Sequence, residues 1–290
     1  MRHALASYKI RTVMQEINND NSNLIEQMFK ITINSSILYV TAFLVTTIFH
    51  ESFHTIFGVL FDSHPVLHHN YVEHLNEETL TTTQKIIIAL AGPLISLMQG
   101  LIAAIIFFKM EKNNLFRMFI AWGSVLGFNN FLGYVLTGPL FKVGDIGRVY
   151  YLIDTPLYLQ ITFALLAAVV LVKLSLMMSK PFLGFATRQE WILDGQSRRK
   201  FLFHTIILPW IFGSLIMTVL YLPIIALISI IYPVMSGFVF IGPWQYGYKI
   251  TDVDLSESRE IEKLSFKYIL ILIVIALIFK FVLQPGIKFS

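Results

Sequence analysis

The chain has 290 residues, of which 56% are hydrophobic and only 14% charged, and its mean hydropathy is +0.68. A soluble domain of this length cannot bury so much apolar surface, so the expected fold class is all-α: a polytopic helical membrane protein with about seven transmembrane helices. The net charge of +4 comes from basic residues scattered at the ends of apolar runs, which fits loops beside a bilayer and excludes nucleic acid as a partner. There is no cysteine, so disulfides, thiolate metal sites and cysteine nucleophiles are excluded. Any tightly held metal must use histidine and carboxylate, a donor set that suits zinc.

Residues 1–30 are polar and mixed in charge, with Asn18-Asn19-Asp20-Asn21 in their middle and no apolar stretch of the kind a cleavable signal peptide needs. They are expected to form a cytoplasmic arm, part of it an amphipathic helix. The first span is expected over 31–61, and its second half reads Phe49-His50-Glu51-Ser52-Phe53-His54, an H-E-x-x-H motif. On a helix, His50 and His54 leave the same face, so two imidazole nitrogens can hold one zinc ion. Glu51 follows the first histidine and can act on a water molecule as general base. Ionisable side chains within a span are costly and point to function. The alternative is a pair of interfacial histidines with a glutamate facing water at a helix end.

The loop 62–83 carries His64, His68, His69 and His74 with Glu73, Glu77 and Glu78. Their spacings match no known metal site, so a solvated loop is expected. The second span, 84–108, contains Gly92-Pro93-Leu94, and Gly92 with Ser96 forms a small-xxx-small pair. The proline frees a backbone carbonyl and bends the helix, and the small residues let another backbone approach. A packing kink alone would account for this element. The third span, 115–141, has Gly123 and Gly127 at G-x-x-x-G spacing and the amide pair Asn129-Asn130, which needs partners in lipid and is a candidate to hold a substrate backbone. It breaks at Gly138-Pro139, and Gly144-Asp145-Ile146-Gly147-Arg148 follows. Asp145 is the best candidate for a third metal ligand, the other reading being an ordinary turn aspartate. A fourth span covers 157–178 and a basic loop 179–200. The apolar stretch 201–243 reads as two spans meeting near Tyr221-Leu222-Pro223, with Trp244, Tyr246 and Tyr248 as an interfacial belt. Residues 251–263 are water-exposed, and the last span is 264–283.

This divides the chain into a polar arm (1–30), core spans (31–156) and additional C-terminal transmembrane helices (157–290). The lysine and arginine distribution places the N-terminus in the cytoplasm of a multi-pass cell-membrane protein, together with the loops at 109–117, 180–200 and 249–263. There is no internal repeat of the kind expected in a transporter.

The set His50-Glu51-Ser52-Phe53-His54, Gly92-Pro93-Leu94, and Asp145 flanked by Gly144 and Gly147 resembles the site-two protease family of intramembrane zinc metalloproteases, in this order and over 31–150. The resemblance implies a three-helix zinc-protease core in which His50, His54 and Asp145 bind Zn2+ and Glu51 activates water. It implies a zinc metalloendopeptidase whose partners are the lipid bilayer and a membrane-embedded or membrane-adjacent peptide. Phe53 stands where the family often has glycine, Ile146 follows the aspartate where glycine is common, and Asn129-Asn130 lie farther upstream than the family's asparagine. These departures mark a remote branch. Many members keep the zinc toward the cytoplasm, whereas the charge distribution here puts His50 and His54 nearer the outside. Two alternatives remain: a gluzincin-type membrane protease with Glu73, Glu111 or Glu190 as third ligand, and a non-catalytic transporter or scaffold.

Overall fold

The computed structural model describes residues 2–223, 233 and 236–290, with side chains from Asn23 onward. The chain is an all-α polytopic membrane protein: among the described residues six helical stretches are long and apolar enough to cross a bilayer. Five of them match expected spans closely: α2 (Thr82–Lys109), α3 (Leu115–Thr137), α5 (Leu157–Met177) with the short α6 (Ser179–Leu183) after it, the run α7 (Gly195–Leu202) to α8 (Leu208–Leu220), and α10 (Phe266–Leu277) with its continuation Ile278–Leu283. The expected second span within 201–243 lies in part outside the described residues; α9 (Gly237–Tyr246) is the described part. The chain stands at one end of the bundle at Leu222, whose carbonyl accepts from Gln284 Nε2 at 3.2 Å, and at the other end at Tyr248, whose carbonyl accepts from Arg198 Nη2 at 3.1 Å.

The first helix departs from expectation. α1 runs unbroken over Arg2–Leu60, 59 residues or about 88 Å, so the polar arm continues directly into the span. No proline or glycine interrupts it before Gly58. Its apolar part is 78% buried, against 17% for the last span, which makes α1 the central post of the bundle, packed by α2, α3, α8 and α10. A buried membrane helix must satisfy its own polar groups, and this one does so locally: Ser36, Thr41, Thr46, Thr47 and Thr55 each donate to the carbonyl four residues earlier, at 2.7–3.1 Å. Two others reach across. Ser35 Oγ donates to the Thr205 carbonyl at 2.7 Å, within the π-helical turn Phe203–Ile207 that joins α7 to α8. Asn34 Nδ2 donates to the carbonyls of Ile261 and Lys263, fixing the loop before α10. Beside Ser35 the fully buried Trp122 of α3 donates its indole N–H to Ser35 Oγ at 3.1 Å and meets Tyr39, Phe182 and Phe240 edge-on.

The basic loops gather at one end: Asn113 bonds the Gly184 carbonyl, Ser256 bonds the Asn113 carbonyl, and Lys180 pairs with Asp252. The opposite end is closed by a three-stranded antiparallel sheet of order β2-β1-β3, with β1 at Pro65–Leu67, β2 at Val72–His74 and β3 at Ile287–Lys288. The loop expected to be solvated is therefore folded; His64 is exposed, and the other three histidines are built into the fold. His68 stacks on Tyr71 and bonds the Gln284 carbonyl, His74 bonds Ser63 Oγ at 2.8 Å, and His69 is buried against Tyr221 and Phe279. Burial, with Lys280 and His68 nearby, pushes the His69 pKa down to about 4, so the ring is neutral at physiological pH.

Candidate metal centre

The centre forms where α1, α2 and the short helix α4 (Asp145–Leu152) meet. His50 and His54 lie one turn apart on the face of α1 that packs on α2, at 2% and 6% exposure. Two helices with ordinary side chains could not accommodate two imidazoles between them. Gly92 supplies the room: a Cβ there would fall 2.7 Å from His50 Nε2 and closer still to His54 Nε2. Pro93 beside it has no N–H for the Ala89 carbonyl and loosens that turn. In the same turn the Ile88 carbonyl accepts from His54 Nδ1 at 2.6 Å. Ser96, a turn beyond Gly92, donates to the Gly92 carbonyl and so presents Oγ as acceptor to His50 Nδ1 at 3.2 Å. The G-P-L element is thus more than a packing kink.

α3 is drawn close to α2 by Gly127, where a Cβ would lie 2.6 Å from the Ser96 carbonyl and the Gly100 amide. Gly123, the other member of the expected pair, makes no such approach; its carbonyl accepts from Gln99 Nε2 at 3.1 Å. α3 ends at Thr137, and the turn over 138–141 redirects the chain into α4. Gly147 is required here, because a Cβ would run into the Phe141 carbonyl, whereas Gly144 has ordinary space and an ordinary φ. The loop helps to hold α4: Glu77 forms an ion pair with Arg148, one turn past Asp145.

Asp145 opens α4 and delivers Oδ2 to 2.9 Å from His50 Nε2 and 3.4 Å from His54 Nε2, and the two Nε2 atoms are 3.1 Å apart. Among the described residues this is a group that could hold a metal ion. The donor chemistry fits one. Both Nδ1 atoms carry their proton toward an acceptor, which leaves both Nε2 lone pairs, with a carboxylate oxygen, pointing at one place. Three acceptors at such separations repel unless a cation or a proton lies among them. A tetrahedral zinc with bonds of about 2.0–2.2 Å needs ligand atoms roughly 3.3–3.6 Å apart, so the triangle asks for expansion by a few tenths of an ångström.

Glu51 is buried on α1 at 7% exposure, within the electrostatic reach of His50, His54 and Asp145. Glu73, Glu111 and Glu190 are exposed and outside the group. Asn129 and Asn130 are both buried on α3 and outside it too; Asn129 lines an apolar cavity between α2, α3 and α5, and Asn130 has a buried Oδ1 with no hydrogen-bond partner. Three neighbours of the centre were not singled out from sequence. The Ile88 carbonyl carries no side-chain signal. Tyr221 brings a buried phenol to Thr47, one turn before Glu51. Tyr134 lies flat against His50, with ring centroids 5.2 Å apart and planes at 12°. Its only sequence mark is its position one turn before Gly138. No protein-family model, curated protein or solved structure matches this chain.

Proposed function

We propose that this chain is an intramembrane zinc metalloprotease of the site-two type, hydrolysing peptide bonds of membrane-embedded or membrane-adjacent substrates. One observation carries the reading: two histidine nitrogens and a carboxylate oxygen converge within 3.4 Å of one another, with a buried glutamate alongside. His50, His54 and Asp145 would hold the ion. Zinc, when bound, supplies a Lewis acid that polarises a scissile carbonyl and makes water nucleophilic near neutral pH. The chain's own part is positioning and proton transfer. His54 is tethered by Ile88 and His50 by Ser96, so both rings keep Nε2 turned inward. The Glu51 carboxylate takes the proton of the attacking water and gives it to the leaving nitrogen, so a C–O bond replaces the C–N bond and the amine departs neutral. A substrate helix has its carbonyls bonded and must unwind first, and the unpartnered Asn130 Oδ1 is suited to accept from a backbone N–H so released.

Purified protein in lipid nanodiscs should cleave a transmembrane peptide, lose that activity to a chelator, and regain it with one equivalent of zinc. Zinc-loaded protein that cleaves no peptide in a broad transmembrane panel would contradict the protease reading.

The gathering of basic loops at the end opposite the sheet supports an N-terminus in the cytoplasm and a centre nearer the external face. A reporter after Lys200 should then read cytoplasmic, and one placed within 75–80 external. The reverse pattern overturns this orientation.

A further inference from the structure

The two histidines are not held equally. His54 Nδ1 donates to a helix carbonyl at 2.6 Å, a short bond to an acceptor that cannot turn away. His50 Nδ1 reaches Ser96 Oγ at 3.2 Å, a longer bond to a hydroxyl already engaged with Gly92. A metal-binding imidazole usually needs a firm outer partner to fix its rotation about χ2. His50 has a second constraint of another kind in the ring of Tyr134, nearly parallel to the imidazole. The 5.2 Å separation is that of an offset stack. The same ring borders the entry to α4: a Cβ on Gly144 would stand 4.0 Å from Tyr134 Cδ1. Tyr134 belongs to α3, which supplies no ligand. It therefore stands between a histidine from α1 and the residue that precedes Asp145.

We propose that Tyr134 is a positioning residue for the metal centre, its ring fixing the His50 imidazole against rotation and bracing the Gly144–Asp145 entry so that Nε2 and Oδ2 meet at one point. This rests on the metal-binding reading above. The function belongs to the aromatic face, so phenylalanine should replace tyrosine and an aliphatic side chain should not.

The test is zinc affinity of the full chain in detergent, measured by competition with a chromophoric chelator, for the parent, Tyr134→Phe and Tyr134→Leu. The leucine variant should bind roughly 10–100-fold more weakly. The phenylalanine variant should stay within about threefold of the parent, since the stack survives. Cobalt(II) absorption in the ligand-field region should match the parent in the phenylalanine variant and differ in the leucine variant. Tyr134→Met, which refills the volume without a ring, takes the place of the leucine variant if that one does not fold. Parental affinity in the leucine or methionine variant overturns the proposal, and so does a phenylalanine variant as weak as leucine, which would assign the effect to the hydroxyl. A parent that binds no zinc overturns the metal-binding reading itself, and this inference with it.

Discussion

Glu51→Gln is expected to leave the protein folded and its zinc bound while lowering peptide hydrolysis by about 10²–10⁴-fold. Glutamine keeps the shape of the side chain and removes the charge that accepts a proton. Glu51 is buried, so the neutral amide also spares the desolvation of a carboxylate, and the variant should unfold at the parent's temperature or above it. Zinc should be retained because His50, His54 and Asp145 form the converging group without Glu51. The comparison is metal content, thermal unfolding and turnover of a transmembrane peptide for variant and parent. Undiminished turnover with zinc in place would remove Glu51 from the mechanism.

Asp145→Ala is expected to act on the metal itself. It removes the one anionic donor and leaves two neutral imidazoles, so zinc affinity should fall by more than the roughly 10–100-fold typical of losing an outer-shell partner, and activity should vanish with it. His68→Ala and His69→Ala should leave zinc affinity unchanged. Those rings are engaged at the sheet and against Tyr221 and Phe279, outside the group that could hold a metal. Parental zinc affinity in the Asp145 variant would break the three-ligand account.

Much of this was legible in the sequence for a simple physical reason. A span is long, apolar and flanked by charges, so five of the expected spans match helices of the structure closely. Histidines four apart on a helix must share a face, so that face needed no tertiary information. The unbroken α1 was less visible, because a polar helix and a polar arm look alike where apolar periodicity is the signal. The folding of the loop was less visible, because two three-residue strands completed by two residues from the far end of the chain leave almost no local pattern. Of the glycines, Gly92, Gly127 and Gly147 are each required by a close approach, while Gly123 and Gly144 are not, and spacing alone cannot tell these cases apart. Tyr134 and the Ile88 carbonyl became visible only when α2 and α3 were seen packed around His50 and His54.

The most direct measurement of the central claim is zinc K-edge absorption on the purified full chain, with metal content on the same sample. The account predicts one zinc per chain, a first shell of nitrogen and oxygen at about 2.0–2.2 Å, scattering from two imidazoles, and loss of the metal in a His50→Ala, His54→Ala double variant. A chain purified without zinc that takes none up, or a metal that stays in the double variant, would contradict it.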